Sequence, residues 1–288
     1  MEKENSTLSE MLKILRANRR AFYGFLGLCV FALMATLGPI VVPLDMTVNH
    51  EQRFQAPSFA HWLGTDHAGR DIAHQLVHGS PGVLIIAFTA AFFGTFFAII
   101  IGFLAGLKGG WVDVVLVRVI DVLLVLPRFP VLVILATLLP VKDSFTFGLV
   151  IALFNWPGLA RSLRAQVMSL KGREFVEVTE IMGLSTWHII FRELAPNMVS
   201  YISINFIDMA RGAITASIGI MFLGLVPLDP TNWGMMLYLS TFTSGAIYVP
   251  HAIMYVLAPV FTIVLFQYCM VSFASGLNEL FDPRLRRM

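Results

Sequence analysis

Apolar residues in this chain come in long uninterrupted runs. Six of them could cross about 30 Å of hydrocarbon as α-helix, and they predict spans at residues 21–42, 83–107, 114–139, 147–163, 199–226 and 252–277. The first run is too long for the apolar part of a cleaved signal peptide, so it is expected to remain as a membrane anchor. The predicted organisation is a segment 1–20, a six-span domain over 21–277 and a tail 278–288, with polar stretches at 43–82 and 164–198. Within the second run, Ala90, Gly94, Ala98, Gly102 and Gly106 place a small residue at every fourth position. Such a stripe lets another helix approach closely, because packing of small side chains drives association in lipid.

Composition agrees with the runs. Of 288 residues, 57% are hydrophobic and 13% charged, against about a quarter charged in an ordinary soluble domain; a water-soluble protein is excluded. The formal net charge of +2 supplies no basic field for phosphates, so nucleic acid is not an expected partner. Cys29 and Cys269 both lie inside apolar runs and read as packing residues, not as a disulfide or zinc framework.

Charge also sets direction. The segments 1–20, 108–118, 161–196 and 278–288 hold fifteen Lys and Arg, whereas 43–82, 140–146 and 227–251 hold three, Arg53, Arg70 and Lys142. By the positive-inside rule both termini and the 164–198 loop are cytoplasmic, and 43–82 is extracellular.

Candidate chemistry is sparse. Gly64-Thr65-Asp66-His67-Ala68-Gly69-Arg70-Asp71 has two glycines spaced as in a phosphate-binding loop, but Arg70-Asp71 stands where Lys-Ser/Thr is needed. If 67–78 were helical, His67, Asp71, His74 and His78 would share a face at metal-ligand spacing; exposed histidines on an amphipathic helix are the commoner case, and no metal site is assigned. No nucleophile elbow, zinc-protease signature or pair of membrane carboxylates indicates an enzyme. Asp208 and Arg211, three apart in the fifth span, can neutralise one another or serve a transport pathway. Arg128 lies between Pro127 and Pro130, where backbone carbonyls freed by proline could hold a guanidinium, or where it too could face a pathway.

The 164–198 stretch is an unusually polar insert between two spans. Residues 171–177 read as a short helix with apolar and charged faces, broken at Gly183 and resumed through Trp187, Ile190 and Phe191 to Pro196. It could dock another protein or rest on the lipid surface.

Glu177, Gly183 and Pro196 resemble the cytoplasmic loop motif of permease subunits of ATP-binding-cassette importers. His61-Trp62-Leu63-Gly64-Thr65-Asp66, Gly69-Arg70-Asp71, Gly109-Gly110-Trp111-Val112-Asp113, Asn155-Trp156-Pro157-Gly158 and Arg173-Glu174-Phe175-Val176-Glu177 are similar to the dipeptide/oligopeptide/nickel permease family. So are Phe222-Leu223-Gly224-Leu225, Asn232-Trp233-Gly234 and Asp282-Pro283-Arg284-Leu285. The resemblance implies an all-α membrane protein, a type I importer transmembrane domain of six helices with a cytoplasmic coupling helix, in a prokaryotic cell membrane. Its implied partners are a second homologous permease, two cytoplasmic ATPase subunits that hold ATP and Mg, and an extracellular solute-binding protein. This chain itself would bind no cofactor and catalyse no reaction.

Carried over position by position, the resemblance assigns coupling to Arg173, Glu174, Phe175, Glu177, Gly183, Leu184, Ser185 and Pro196. Arg128, Asp208, Arg211 and Ser217 are pathway candidates, and Asp66, Arg70, Asp71 and Trp233 are candidates for the side facing the binding protein. The chain departs from the family at Val178-Thr179, where the pattern has Ala-Ala, at Ala195, where it has leucine, and at Ser217, where many peptide permeases are acidic. Without that carboxylate a peptide amino group loses a natural partner, so oligosaccharide and nickel stand beside peptide as cargo. An ATP-independent secondary transporter or channel is the competing class.

Overall fold

The computed structural model describes residues 18–173, 178–179, 181–226 and 228–281, with the side chains of 278–281 not described. The described residues are mainly helical, and the only pairing of extended backbone among them is an isolated bridge between Thr65 and Asp71. The main helices are α1 (Arg19–Thr36), α2 (Ile72–Lys108), α3 (Gly110–Val125), α4 (Arg128–Leu138), α5 (Ser144–Lys171), α6 (Val199–Phe222), α7 (Trp233–Tyr238) and α8 (Ile253–Phe281).

Three described helical segments are individually long and apolar enough to cross a bilayer: Arg19–Thr36, Ile72–Lys108 and Pro250–Leu277. The third predicted span is not one straight helix. Leu126 is extended, as a residue before proline prefers, and the chain turns by 89° between α3 and α4. Helices α5 and α6 stand where the fourth and fifth spans were expected. At 28 and 24 residues they are about 42 and 36 Å long, but they are not among the segments apolar enough to cross alone.

The chain divides into two compact units. One takes the described parts of Met1–Ile86, Val141–Phe145 and Ile214–Met288. In it, α8 lies along α1 so closely that a Cβ at Gly24 would meet the backbone of Phe273 and Cys269. Trp233 stands between Phe31 of α1 and Phe266 of α8, with ring centroids 5.9 Å from each. α2 starts at Ile72, so the last part of the predicted 43–82 loop is already helix. Asp71 caps its N-terminus by accepting from the His74 amide at 3.0 Å. Pro81, inside α2, supplies no N–H for the Val77 carbonyl; the Ser80 hydroxyl donates to it instead at 2.6 Å.

The other unit takes Ala87–Pro140 and Thr146–Ala213. Here the small-residue stripe of α2 meets α5. A Cβ added at Gly102 would approach the Ala160 carbonyl, and one at Gly106 would approach Val167. Ala90 and Ala98 are fully buried. Lys171, in the last turn of α5, donates to the Leu107 carbonyl at 2.6 Å and so satisfies an orphan acceptor at the end of α2.

Candidate functional site

The polar insert continues past the end of α5, with the Arg173 amide donating to the Leu170 carbonyl. Glu174, Phe175 and Glu177, three of the expected coupling residues, lie outside the described residues. Beyond them the Met182 amide donates to the Val178 carbonyl at 2.9 Å and the Leu184 amide to the Thr179 carbonyl at 3.2 Å. Between these two donors Gly183 has φ +69°. A six-to-one bond closed over a left-handed glycine is the usual way to stop a helix and turn the chain.

Ser185 restarts it. Its side chain accepts from the His188 amide at 3.2 Å, capping the one-turn helix Thr186–His188. A π-helical turn, Ile189–Leu194, follows, with the Ala195 amide reaching back five residues to the Ile190 carbonyl. Pro196 explains the widening: it brings no N–H, and its ring would collide with the carbonyl of Arg192 in a regular α-turn.

The resulting segment has two faces. Ile189, Ile190 and Leu194 are buried, whereas Trp187 and Phe191 are about half exposed and stack on each other, centroids 6.0 Å apart at 14°. Ile181 and Met182, just before the glycine, are exposed as well. An apolar, aromatic surface is thus held out on a segment whose opposite side is fixed into the chain. Of the expected coupling residues, Gly183, Leu184, Ser185 and Pro196 fall together on this feature, and Arg173 stands where the chain enters it.

The pathway candidates separate. Asp208 and Arg211 form an ion pair of 3.1 Å along one face of α6, with side chains 51% and 42% exposed. Arg128 is exposed at the start of α4, directly after the break. Ser217 is buried, and its hydroxyl donates to the Ile214 carbonyl at 2.9 Å. It packs inside the chain and lines no open surface of it. For Asp208 and Arg211, removing one charge leaves the other without this ion-pair partner inside a helix of the membrane domain. Asp208→Asn or Arg211→Gln alone should therefore lower the amount of folded protein in membranes more than the two changes together. Additive losses in this double-mutant cycle would rule out mutual neutralisation.

Two of the residues expected to face the binding protein belong to the interior. Trp233 has no exposed surface, and its indole N–H donates to the Leu76 carbonyl at 2.9 Å. Asp66 is buried too; its carboxylate accepts from the amides of Ala68 and Arg70 at 2.7 and 2.9 Å and from Gln75 Nε2 at 3.1 Å. These residues hold the loop to the helices. Asp71 is similarly engaged, with His61 Nδ1 2.9 Å from its free oxygen, while Arg70 is partly exposed.

The four-residue metal set is not brought together either, because helix starts only at Ile72. His67 stacks on Tyr255 and His78 Nε2 bonds to the Val42 carbonyl at 2.7 Å. Burial holds the His67 imidazole below its usual pKa, with the neighbouring Asp66 carboxylate working in the opposite direction.

Two ion pairs were not anticipated. Arg164 of α5 grips Asp113 of α3 through Nε and a terminal nitrogen, and Arg161 pairs with Asp121. The positive-inside rule uses Arg161 and Arg164 only for the side of the membrane they mark. The signal was present: the two acids of α3, Asp113 and Asp121, are matched by two arginines of α5.

These helices define a multi-pass membrane protein, and no cluster of three or more metal-ligating side chains is found among the described residues. Residues 98–287 match the family of binding-protein-dependent transport system inner membrane components, and residues 6–57 match the N-terminal transmembrane domain of oligopeptide transport permease C. The chain belongs to the binding-protein-dependent transport family. It is 32% identical over 279 residues to the dipeptide transport system permease protein of Bacillus subtilis, covering 95% of this chain and 84% of that one. It is 30% identical over 274 residues to the oligopeptide transport system permease protein of the same organism, with 94% and 88% covered. The oligopeptide permease of Mycobacterium bovis is 29% identical over 273 residues, with 94% and 92% covered.

Proposed function

We propose that this chain forms half of the membrane pathway of an ATP-driven peptide importer, and that residues 172–198 transmit the ATPase cycle to it. The carrying observation is the two-faced segment after Gly183, anchored by Ile189, Ile190 and Leu194 and presenting Trp187 and Phe191 outward. A cleft between ATPase lobes would cover that surface, and the rigid turn at Gly183 would pass its displacement to α5 and α6.

In this reading the chain crosses the membrane six times with both termini in the cytoplasm, α3 and α4 forming one broken crossing. A second, related permease faces it, two ATPase subunits with ATP and Mg sit beneath, and a solute-binding protein delivers cargo from outside. The half-exposed Asp208–Arg211 pair supports a wet surface on α6, since charges in spans face cavities or partners and not lipid. Peptide is the proposed cargo because the relatives are named for dipeptides and oligopeptides. Ser217 does not weigh against it, since that side chain is turned inward.

The test is to purify the chain with its co-expressed partners, reconstitute the complex in liposomes, and supply labelled peptide with the binding protein. Peptide uptake that requires ATP and the binding protein is expected. Uptake by this chain without ATPase subunits would replace the reading with a self-sufficient transporter. ATP-driven uptake of an oligosaccharide or nickel, but not of peptide, would keep the machine and change its cargo.

A further inference from the structure

The extracellular loop carries an apolar surface that neither the pathway nor the coupling feature uses. From Phe54 to Thr65 the sequence holds no Asp, Glu, Lys or Arg, and its imidazole, His61, is turned inward to Asp71. A tight turn presents the tip: the Ser58 amide donates to the His61 carbonyl at 2.8 Å, and the His61 amide to the Ser58 hydroxyl at 3.1 Å. Phe59 is consequently fully exposed, and Trp62 is 77% exposed.

This surface adjoins the outer end of α1. Trp62, Ala60 and Val42 line one cavity of about 210 Å³ together with Asp71 and with Ala73, His74 and Val77 of α2. Val42 ends the short helical turn Gly38–Val41, on which Ile40 and Val41 are 80% and 76% exposed. Those two continue an exposed apolar ridge of α1 through Leu33 and Leu37. Helix α1 is long and apolar enough to cross the bilayer alone, its exposed apolar ridge suits contact with hydrocarbon, and the loop continues that ridge past the end of the span.

We propose that the Phe59–Trp62 tip is an interfacial anchor, lying in the outer headgroup layer beside the end of α1. The Trp62 indole suits that depth because its ring is apolar while its N–H can meet the wet layer, and Phe59 adds apolar area beside it. The uncharged tip means that no ionised group is dehydrated on entry. Lipid is favoured over a protein partner by continuity: the surface that reaches Trp62 extends the exposed apolar ridge of a helix long enough to cross hydrocarbon. The anchor would hold the loop, and with it the start of α2, at a fixed height above the membrane.

The proposal is tested with a nitroxide on Phe59→Cys, in the full complex in lipid nanodiscs, with the parent chain carrying only Cys29 and Cys269 as background. Power saturation should show greater accessibility to oxygen than to a water-soluble nickel chelate, as for lipid-immersed sites. A label on Glu51→Cys, an exposed position of the same loop, should show the reverse. A second label on Trp62→Cys should behave as the first does. Chelate accessibility at 59 and 62 equal to that at 51 would overturn the proposal. So would loss of both accessibilities only when the solute-binding protein is added, which would make the tip a protein-docking surface.

Discussion

Trp233→Ala should be among the most damaging single changes in the chain, and the damage should be to the fold. The indole is fully buried between Phe31 and Phe266 and bonded to Leu76, so truncation opens a cavity where α1, α2, α7 and α8 meet. Large-to-small changes of this kind cost about 3–5 kcal/mol. Trp233→Phe retains most of the packing and forfeits one hydrogen bond to a carbonyl, a net of about 1 kcal/mol. The check is the thermal midpoint of the purified complex: a large drop for alanine, a small one for phenylalanine, each followed by its loss of uptake. An unchanged midpoint with lost stimulation by the binding protein would return Trp233 to the outer docking surface.

That residue also shows where sequence reading stops. A long apolar run announces a span because length and hydropathy are local properties, and the stripe from Ala90 to Gly106 announces a close helix contact because its period is local too. Whether a loop residue faces in or out is not local. Asp66 is a charged residue in a loop between helices, the usual description of a surface group. It is buried because the turn around it aims the amides of Ala68 and Arg70 at one carboxylate oxygen and Gln75 at the other. Gly64 and Gly69 make that turn possible, with φ of +79° and +81°.

The break in the third span was half legible. Pro127 and Pro130 mark the place, but hydropathy continues across them and says nothing about direction, so the sequence does not specify the 89° turn. Asp208 and Arg211, by contrast, were legible as a pair because three residues of helix bring them to one face whatever surrounds them. Asp113 and Arg164 needed the fold, since 51 residues separate them.

Gly183→Val should uncouple the transporter while leaving it assembled. A Cβ at this position meets nothing within 4 Å, so the penalty is not a clash but the backbone itself, held at φ +69°. An L-residue there costs about 1–2 kcal/mol, and branching at Cβ makes valine worse than alanine. Since 1–2 kcal/mol is a factor of about 5–30 in a two-state balance, most molecules would lose the cap that joins Leu184 to Thr179. The surface of Trp187 and Phe191 would then point elsewhere. Uptake and peptide-stimulated hydrolysis should fall together by about that factor, with the amount of complex in the membrane unchanged. Gly183→Asn, whose side chain tolerates the left-handed region, should retain most of both, a rescue that a loss of bulk flexibility would not produce. The comparison is made in nanodiscs, measuring ATPase retention, hydrolysis and uptake for each variant beside the parent. If valine left stimulation and uptake intact, the direction set at Gly183 would be irrelevant to coupling. The exposed aromatic pair would then be assigned to the cytoplasmic lipid surface instead.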